Sequence, residues 1–239
     1  MHFILLIFQN GNNSLLYLLQ QIDNKRKLLI HYPSLCCLPD GQEKELLNNY
    51  FININSMEEQ YWEMKDNFSI LQTKGLPEGT NIFREKVKGN NLAIIAAGPS
   101  LQDSLNDLKK YRKKLIILAV GRIAKNLIDY GIDPDFILIS DSWFGMYHQI
   151  EKIENKKIPL LLLSTASETI IQYYKGPVYI LYQKGWSEAE KYAHERRYVL
   201  YNTGGSVTTL ALDLALQSRP QKIILTGVDM AFPQNRRHA

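Results

Sequence analysis

Between residues 92 and 226, short apolar runs alternate with longer stretches whose apolar positions recur at helical spacing. The runs are Leu92–Ala97, Leu115–Val120, Phe136–Ser140, Pro159–Leu163, Pro177–Tyr182, Tyr198–Tyr201 and Ile223–Thr226. Strands without polar alternation are buried on both faces, which is the mark of a parallel sheet covered by helices on each side. The intervening stretches supply those helices. Leu101, Leu105 and Leu108 share one face, and Ile123, Leu127 and Ile128 precede a stop at Gly131. Further helices are predicted around Glu168–Tyr174 and over Ser187–Arg197. The stripe Val207, Leu210, Ala211, Leu214, Ala215 marks one more over Val207–Gln217. The pattern predicts an α/β fold, a Rossmann-like doubly wound and mostly parallel sheet with helices on both faces.

The earlier part of the chain reads as a smaller α/β unit. Phe3–Phe8, Leu28–His31 and Phe51–Ile54 are expected as strands, with helices near Leu15–Gln21, Glu43–Asn48 and Glu58–Asp66. Thr73–Asn81 is rich in Gly, Pro and polar residues and is expected as a linker, giving domains 1–80 and 81–239. The sequence closes on a polar loop with no helix after the last strand. From that ending, a longer protein is expected, with the second domain incomplete at its C-terminal side.

A length of 239 residues is enough for one large core or two modest ones. The formal charge of +4 is scattered over helix ends and loops rather than gathered on a stripe with aromatics. A nucleic-acid partner is therefore not expected. The apolar start Met1–Phe8 is too short to span a bilayer and lacks a basic leader, so it is expected as a first strand. Cys36 and Cys37 are adjacent, a spacing that suits neither a loop-closing disulfide nor a metal site. A reducing, cytoplasmic setting follows as the expectation.

Candidate chemistry lies just past the strands, at the edge where parallel sheets take ligands. Gly98, Pro99 and Ser100 make a tight turn into a helix, suited either to a phosphate or to an ordinary cap formed by Ser100 and Asp103. Thr203, Gly204, Gly205 and Ser206 can expose successive N–H groups as an anion nest, or serve as a plain strand-to-helix connection. Asp141 and Asp229 each follow a strand. There a carboxylate can accept from sugar hydroxyls, hold a cation through water, act as a base, or form a simple Asx turn. Arg122 follows a third strand, within reach of a phosphate or free in solvent. His238 is an acid/base candidate or a solvated loop residue. No G-x-S-x-G, H-E-x-x-H, G-x-x-x-x-G-K-[ST] or dinucleotide fingerprint occurs, so serine hydrolases, zincins, P-loop NTPases and NAD or FAD binding are not expected.

Taken in order, Ala96–Leu101, Gly131–Phe136 with Asp141 soon after, Gly204–Val207 and Gly227–Phe232 followed by His238 resemble the motility accessory factor family of bacterial flagellin glycosyltransferases. Their central domain is similar to the 6-hydroxymethylpterin diphosphokinase of archaeal pterin synthesis and to CMP-sialic-acid-dependent sialyltransferases. The resemblance covers roughly residues 90 to 239. It implies a transferase that moves a nonulosonic sugar from a CMP-linked donor to Ser or Thr of flagellin. Gly98–Ser100 and Thr203–Ser206 would then hold the CMP phosphate and ribose, with Asp229 near the nucleotide. Two other readings stay open. One is an ATP-dependent pyrophosphate transfer, which alone would call for Mg²⁺. The other is a non-catalytic flagellin-binding module.

Overall fold

The computed structural model describes residues 2–6, 26–30 and 60–229. The expected strand Phe51–Ile54, the helices near Leu15–Gln21 and Glu43–Asn48, the Cys36–Cys37 pair and His238 lie outside the described residues. The chain divides into two compact units, Met1–Tyr61 and Trp62–Ala239. In the first, strand β1 (His2–Leu6) pairs in parallel with β2 (Arg26–Ile30), His2 opposite Arg26.

The second unit holds a seven-stranded, all-parallel sheet. Its strands are β3 (Asn91–Ile95), β4 (Ile116–Val120), β5 (Phe136–Ile139), β6 (Leu160–Leu163), β7 (Val178–Gln183), β8 (Leu200–Tyr201) and β9 (Lys222–Thr226). Helices α1 (60–73), α2 (Thr80–Val87), α3 (Leu101–Tyr111), α4 (Ile123–Asp129), α5 (Thr169–Tyr173), α6 (Ser187–Arg196) and α7 (Val207–Ser218) surround it. The strand order is β8-β7-β6-β5-β4-β3-β9. The sheet therefore grows one way from β3 to β8, and β9 returns to the far side of β3.

The α/β, Rossmann-like expectation holds, for the reason the pattern gave. Leu92, Ile94, Ile117, Leu118, Ile137, Leu138, Leu161 and Leu162 have no solvent exposure, so the central strands are sealed on both faces. In α7, Leu210, Ala211, Leu214 and Ala215 are equally buried. Gly131 ends α4 with φ +84°, a conformation that costs glycine little.

Two stretches behave otherwise than their local sequence suggests. Thr73–Asn81 was expected as a linker at the domain boundary, yet its second half runs along β7. Ile180 donates to the Pro77 carbonyl (2.8 Å) and Gly79 donates to the Ile180 carbonyl (2.9 Å). The second unit thus begins earlier than residue 81, and α1 contributes Leu71 to its core. At Tyr198 the expected strand is delayed to Leu200. Arg197 closes α6 at φ +57°, and the Tyr198 N–H is spent on the Ala193 carbonyl (2.9 Å).

Candidate functional site

All seven strands point their carboxyl ends to one rim, and the corners that leave them carry the candidate chemistry. The β3 and β9 corners meet. The Gly98 N–H donates to the Gly227 carbonyl (2.7 Å), continuing the ladder in which Ala96 donates to Thr226 (2.9 Å). A Cβ on Gly98 would lie 2.4 Å from the Gly227 oxygen and 2.6 Å from Asp229 Oδ2, so this glycine is required by close packing of two corners. Asp229 then turns back onto α3. Its Oδ2 accepts from the Ser100 N–H (2.8 Å) and its Oδ1 from the Ser100 hydroxyl.

This geometry replaces the cap expected from Ser100 and Asp103. Ser100 has helical angles (φ −64°, ψ −15°), so its hydroxyl does not fold back on the helix. Asp229, 129 residues away, supplies the negative charge that the helix start attracts. The two bonds from Ser100 hold the Asp229 carboxyl below its ordinary value. Pro99 stands just before the cap position Ser100, where its fixed φ stiffens the corner.

The next corners along the rim belong to β4 and β5. Gly121 (φ +62°) leads to Arg122, which is exposed and has no ion pair among the described residues. Asp141 is also exposed. Its carbonyl accepts from the Ser167 N–H (2.8 Å), while its carboxylate has no hydrogen-bond partner among the described residues. After Asp141 the chain makes a 3-10 turn, Phe144–Gln149, which the apolar pattern did not predict. That turn brings Gln149 over Gly121, where an added Cβ would meet Gln149 Oε1 at 3.2 Å.

The third glycine corner stands apart. Thr203–Ser206 leaves β8, which the strand order sets five places from β3, and no hydrogen bond among the described residues joins it to Gly98 or Asp229. Gly204 and Gly205 both have positive φ, +52° and +71°. Gly205 is exposed, with nothing within 4 Å of where a Cβ would be. Ser206 caps α7 by accepting from the Thr208 N–H (3.2 Å).

One participant was not anticipated from sequence. Asn67 of α1 is buried and ties two rim segments together, the one after β5 and the one after β6. Its Nδ2 donates to the carbonyls of Ser142 (2.8 Å) and Thr165 (3.4 Å), and its Oδ1 accepts from the Glu168 N–H (3.2 Å). A lone Asn inside a helix carries no local signal of such a role. Away from the rim, a cavity of about 410 Å³ lies between α3 and β9 beside Leu108, Tyr111, Ile224 and Leu225. Asn91, Asp107, Lys114 and Lys222 also border it, so its lining is mixed rather than apolar.

Among the described residues no three His, Cys, Asp or Glu side chains gather as metal ligands, and no helix is long and apolar enough to cross a membrane. No curated protein matches the sequence. Among solved structures, the Maf glycosyltransferase of Magnetospirillum magneticum AMB-1 superposes with a TM-score of 0.57 at 16% identity over 85% of this chain. That likeness is one of fold, and this chain spans about a third (33%) of that protein's length. The family model described as 6-hydroxymethylpterin diphosphokinase MptE-like matches residues 65–235. The match takes in the whole seven-stranded sheet and its rim, and the chain belongs to this MptE-like family.

Proposed function

We propose that the carboxyl rim binds a nucleotide-activated sugar and that the protein is a glycosyltransferase. In its fuller form, a nonulosonic sugar passes from a CMP donor to Ser or Thr of flagellin, in the cytoplasm where such donors are made. The observation that carries this reading is the meeting of the β3 and β9 corners. In the strand order, growth toward β8 starts on one side of β3 and β9 lies on the other, which makes their junction a switch point of the kind where open α/β sheets bind ligands. The fold likeness to the Maf glycosyltransferase supports the same reaction class.

In this reading the acceptor hydroxyl oxygen attacks the anomeric carbon of the donor. The bond from that carbon to the phosphate oxygen breaks, and CMP departs with the electron pair. The hydroxyl proton passes to solvent, Arg122 faces the charge that grows on the departing phosphate, and Asp141, open on the rim, accepts from a hydroxyl of the ribose. Asp229 is already engaged by Ser100, so its part is to fix the Gly98–Ser100 corner. Thr203–Ser206 borders the same rim from β8 and is the second candidate contact for the donor.

The family description favours a second reading, transfer of pyrophosphate from ATP to a hydroxymethyl-pterin. That chemistry needs Mg²⁺ held by oxygens on one ion. Asp141 and Asp229 follow β5 and β9, three strands apart, about 14 Å at ordinary strand spacing. They do not fit one shared ion, and the glycosyl reading is preferred. Thermal shift with CMP, ATP and Mg²⁺ tests the choice. Stabilisation by CMP without metal is expected; stabilisation by ATP only with Mg²⁺ overturns it. Association with flagellin but with no nucleotide would leave a binding module instead.

A further inference from the structure

We infer that Trp143 is the stacking platform for the nucleobase of the donor, an assignment that rests on the nucleotide reading above. Trp143 is 58% exposed, and the neighbouring Phe144 is 67% exposed. Large aromatic surface in water is unfavourable, and on a mobile loop it would fold away. Here it does not fold away, because the backbone around it is held at three successive carbonyls. The Ser142 carbonyl accepts from Asn67 Nδ2 (2.8 Å), that of Trp143 from the Met146 N–H (3.0 Å), and that of Phe144 from the Thr169 hydroxyl (3.0 Å).

The ring itself is seated. A Cβ on Gly145 would fall 2.4 Å from the indole, so only glycine lets the ring lie down on that backbone. Gly145 is buried beneath it, and the rest of the ring remains in solvent. An aromatic surface fixed in advance loses little entropy when a planar group stacks on it.

Position and chemistry select the base as that planar group. Trp143 follows β5, two strands from the Gly98–Ser100 corner, a span of about 10 Å at ordinary strand spacing, with Arg122 at the corner of the strand between. A nucleotide laid along the rim thus meets the polar corner, the cation and the indole in order. The face of an indole carries negative quadrupole charge, which repels the phosphate and the carboxylate of the sugar but accepts a heteroaromatic ring. Unspent hydrogen-bonding capacity is buried under the same stretch of rim. The Ser142 hydroxyl is buried without a partner among the described residues, and so is Gln149 Oε1, whose amide nitrogen reaches only the Met146 sulfur (2.9 Å).

The test uses the full chain and titrates CMP and ribose 5-phosphate, which lacks a base, by calorimetry and by tryptophan fluorescence. CMP is expected to quench wild-type emission. In Trp143→Ala the CMP affinity should fall about tenfold, within the range that base stacking supports. Trp143→Phe should recover part of that affinity without the quench, and ribose 5-phosphate should bind all three proteins alike. Because more than half of the side chain is exposed, the melting temperature should fall only slightly, and less than the affinity loss would require. Equal CMP affinity in Trp143→Ala would sink the platform while leaving the nucleotide reading intact. An equal loss for ribose 5-phosphate would likewise sink it. No CMP binding by the wild-type chain would sink both.

Discussion

At Gly227 an added Cβ would fall 2.1 Å from the Ala96 carbonyl oxygen, at a backbone φ of +69° that side chains rarely adopt. Both the contact and the torsion oppose any other residue, so Gly227→Ala should cost about 2 kcal/mol or more. Gly205 offers the contrast. Its φ is +71°, yet the space around it is empty, so Gly205→Ala carries only the torsional cost of about 1–2 kcal/mol. Chemical denaturation of both variants checks the ranking. CMP titration of Gly205→Ala then tells whether the Thr203–Ser206 loop touches nucleotide: weaker binding with the fold retained is expected. A third residue gives a pH signature. Half-buried Glu78 accepts from the Thr80 N–H (2.9 Å), but loss of solvent dominates and raises its carboxyl above the ordinary 4.5. The folded chain then keeps this proton to higher pH than the unfolded chain does. Stability therefore falls as pH climbs from about 4.5 through the raised value and is level beyond it. Glu78→Gln should remove that portion of the slope in pH-dependent melting.

Among the elements, α1 acts on the rim through one side chain. Asn67→Ala would leave the Ser142 carbonyl and the Glu168 N–H buried without partners, a loss of about 1–3 kcal/mol. Because the same amide fixes the segment before Trp143, nucleotide affinity should fall along with the melting temperature. Calorimetry below the transition separates the two effects. Elements with a strong period were legible in sequence: α3 buries Leu101, Leu105 and Leu108, as their spacing required. Helix α2 was not. Only Phe83 and Val87, with Thr80, form its buried stripe, and the Gly, Pro and polar residues before it read as a break. The 3-10 turn Phe144–Gln149 was hidden for a related reason, since so short a segment has no room for a repeating pattern.

For the second unit as a whole, the alternation of apolar runs and amphipathic stretches was enough to give a parallel α/β sheet. It was not enough to give the strand order, because every central strand presents the same aliphatic surface to its neighbours. Seen locally, Lys222–Thr226 could border any of them. Its place beside β3 is defined by the backbone fit of Gly98 against Gly227 and by the reach of Asp229 to Ser100. The candidate site was legible in the same measure. Gly98, Ser100 and Asp229 were all singled out from sequence, and they converge. Thr203–Ser206, singled out by the same reasoning, leaves the sheet at its other flank.

The pairing of β3 with β9 also sets a schedule. The first strand of the sheet and the last are neighbours, and the bond from Ser100 to Asp229 spans 129 residues. During synthesis β3 can join β4 early but must wait for nearly the entire unit to emerge before its other flank is filled. Long loop closures of this kind slow folding. The corner that anchors the rim is therefore among the last parts of this sheet to form, and a chain that stops short of β9 has no completed rim to offer a nucleotide.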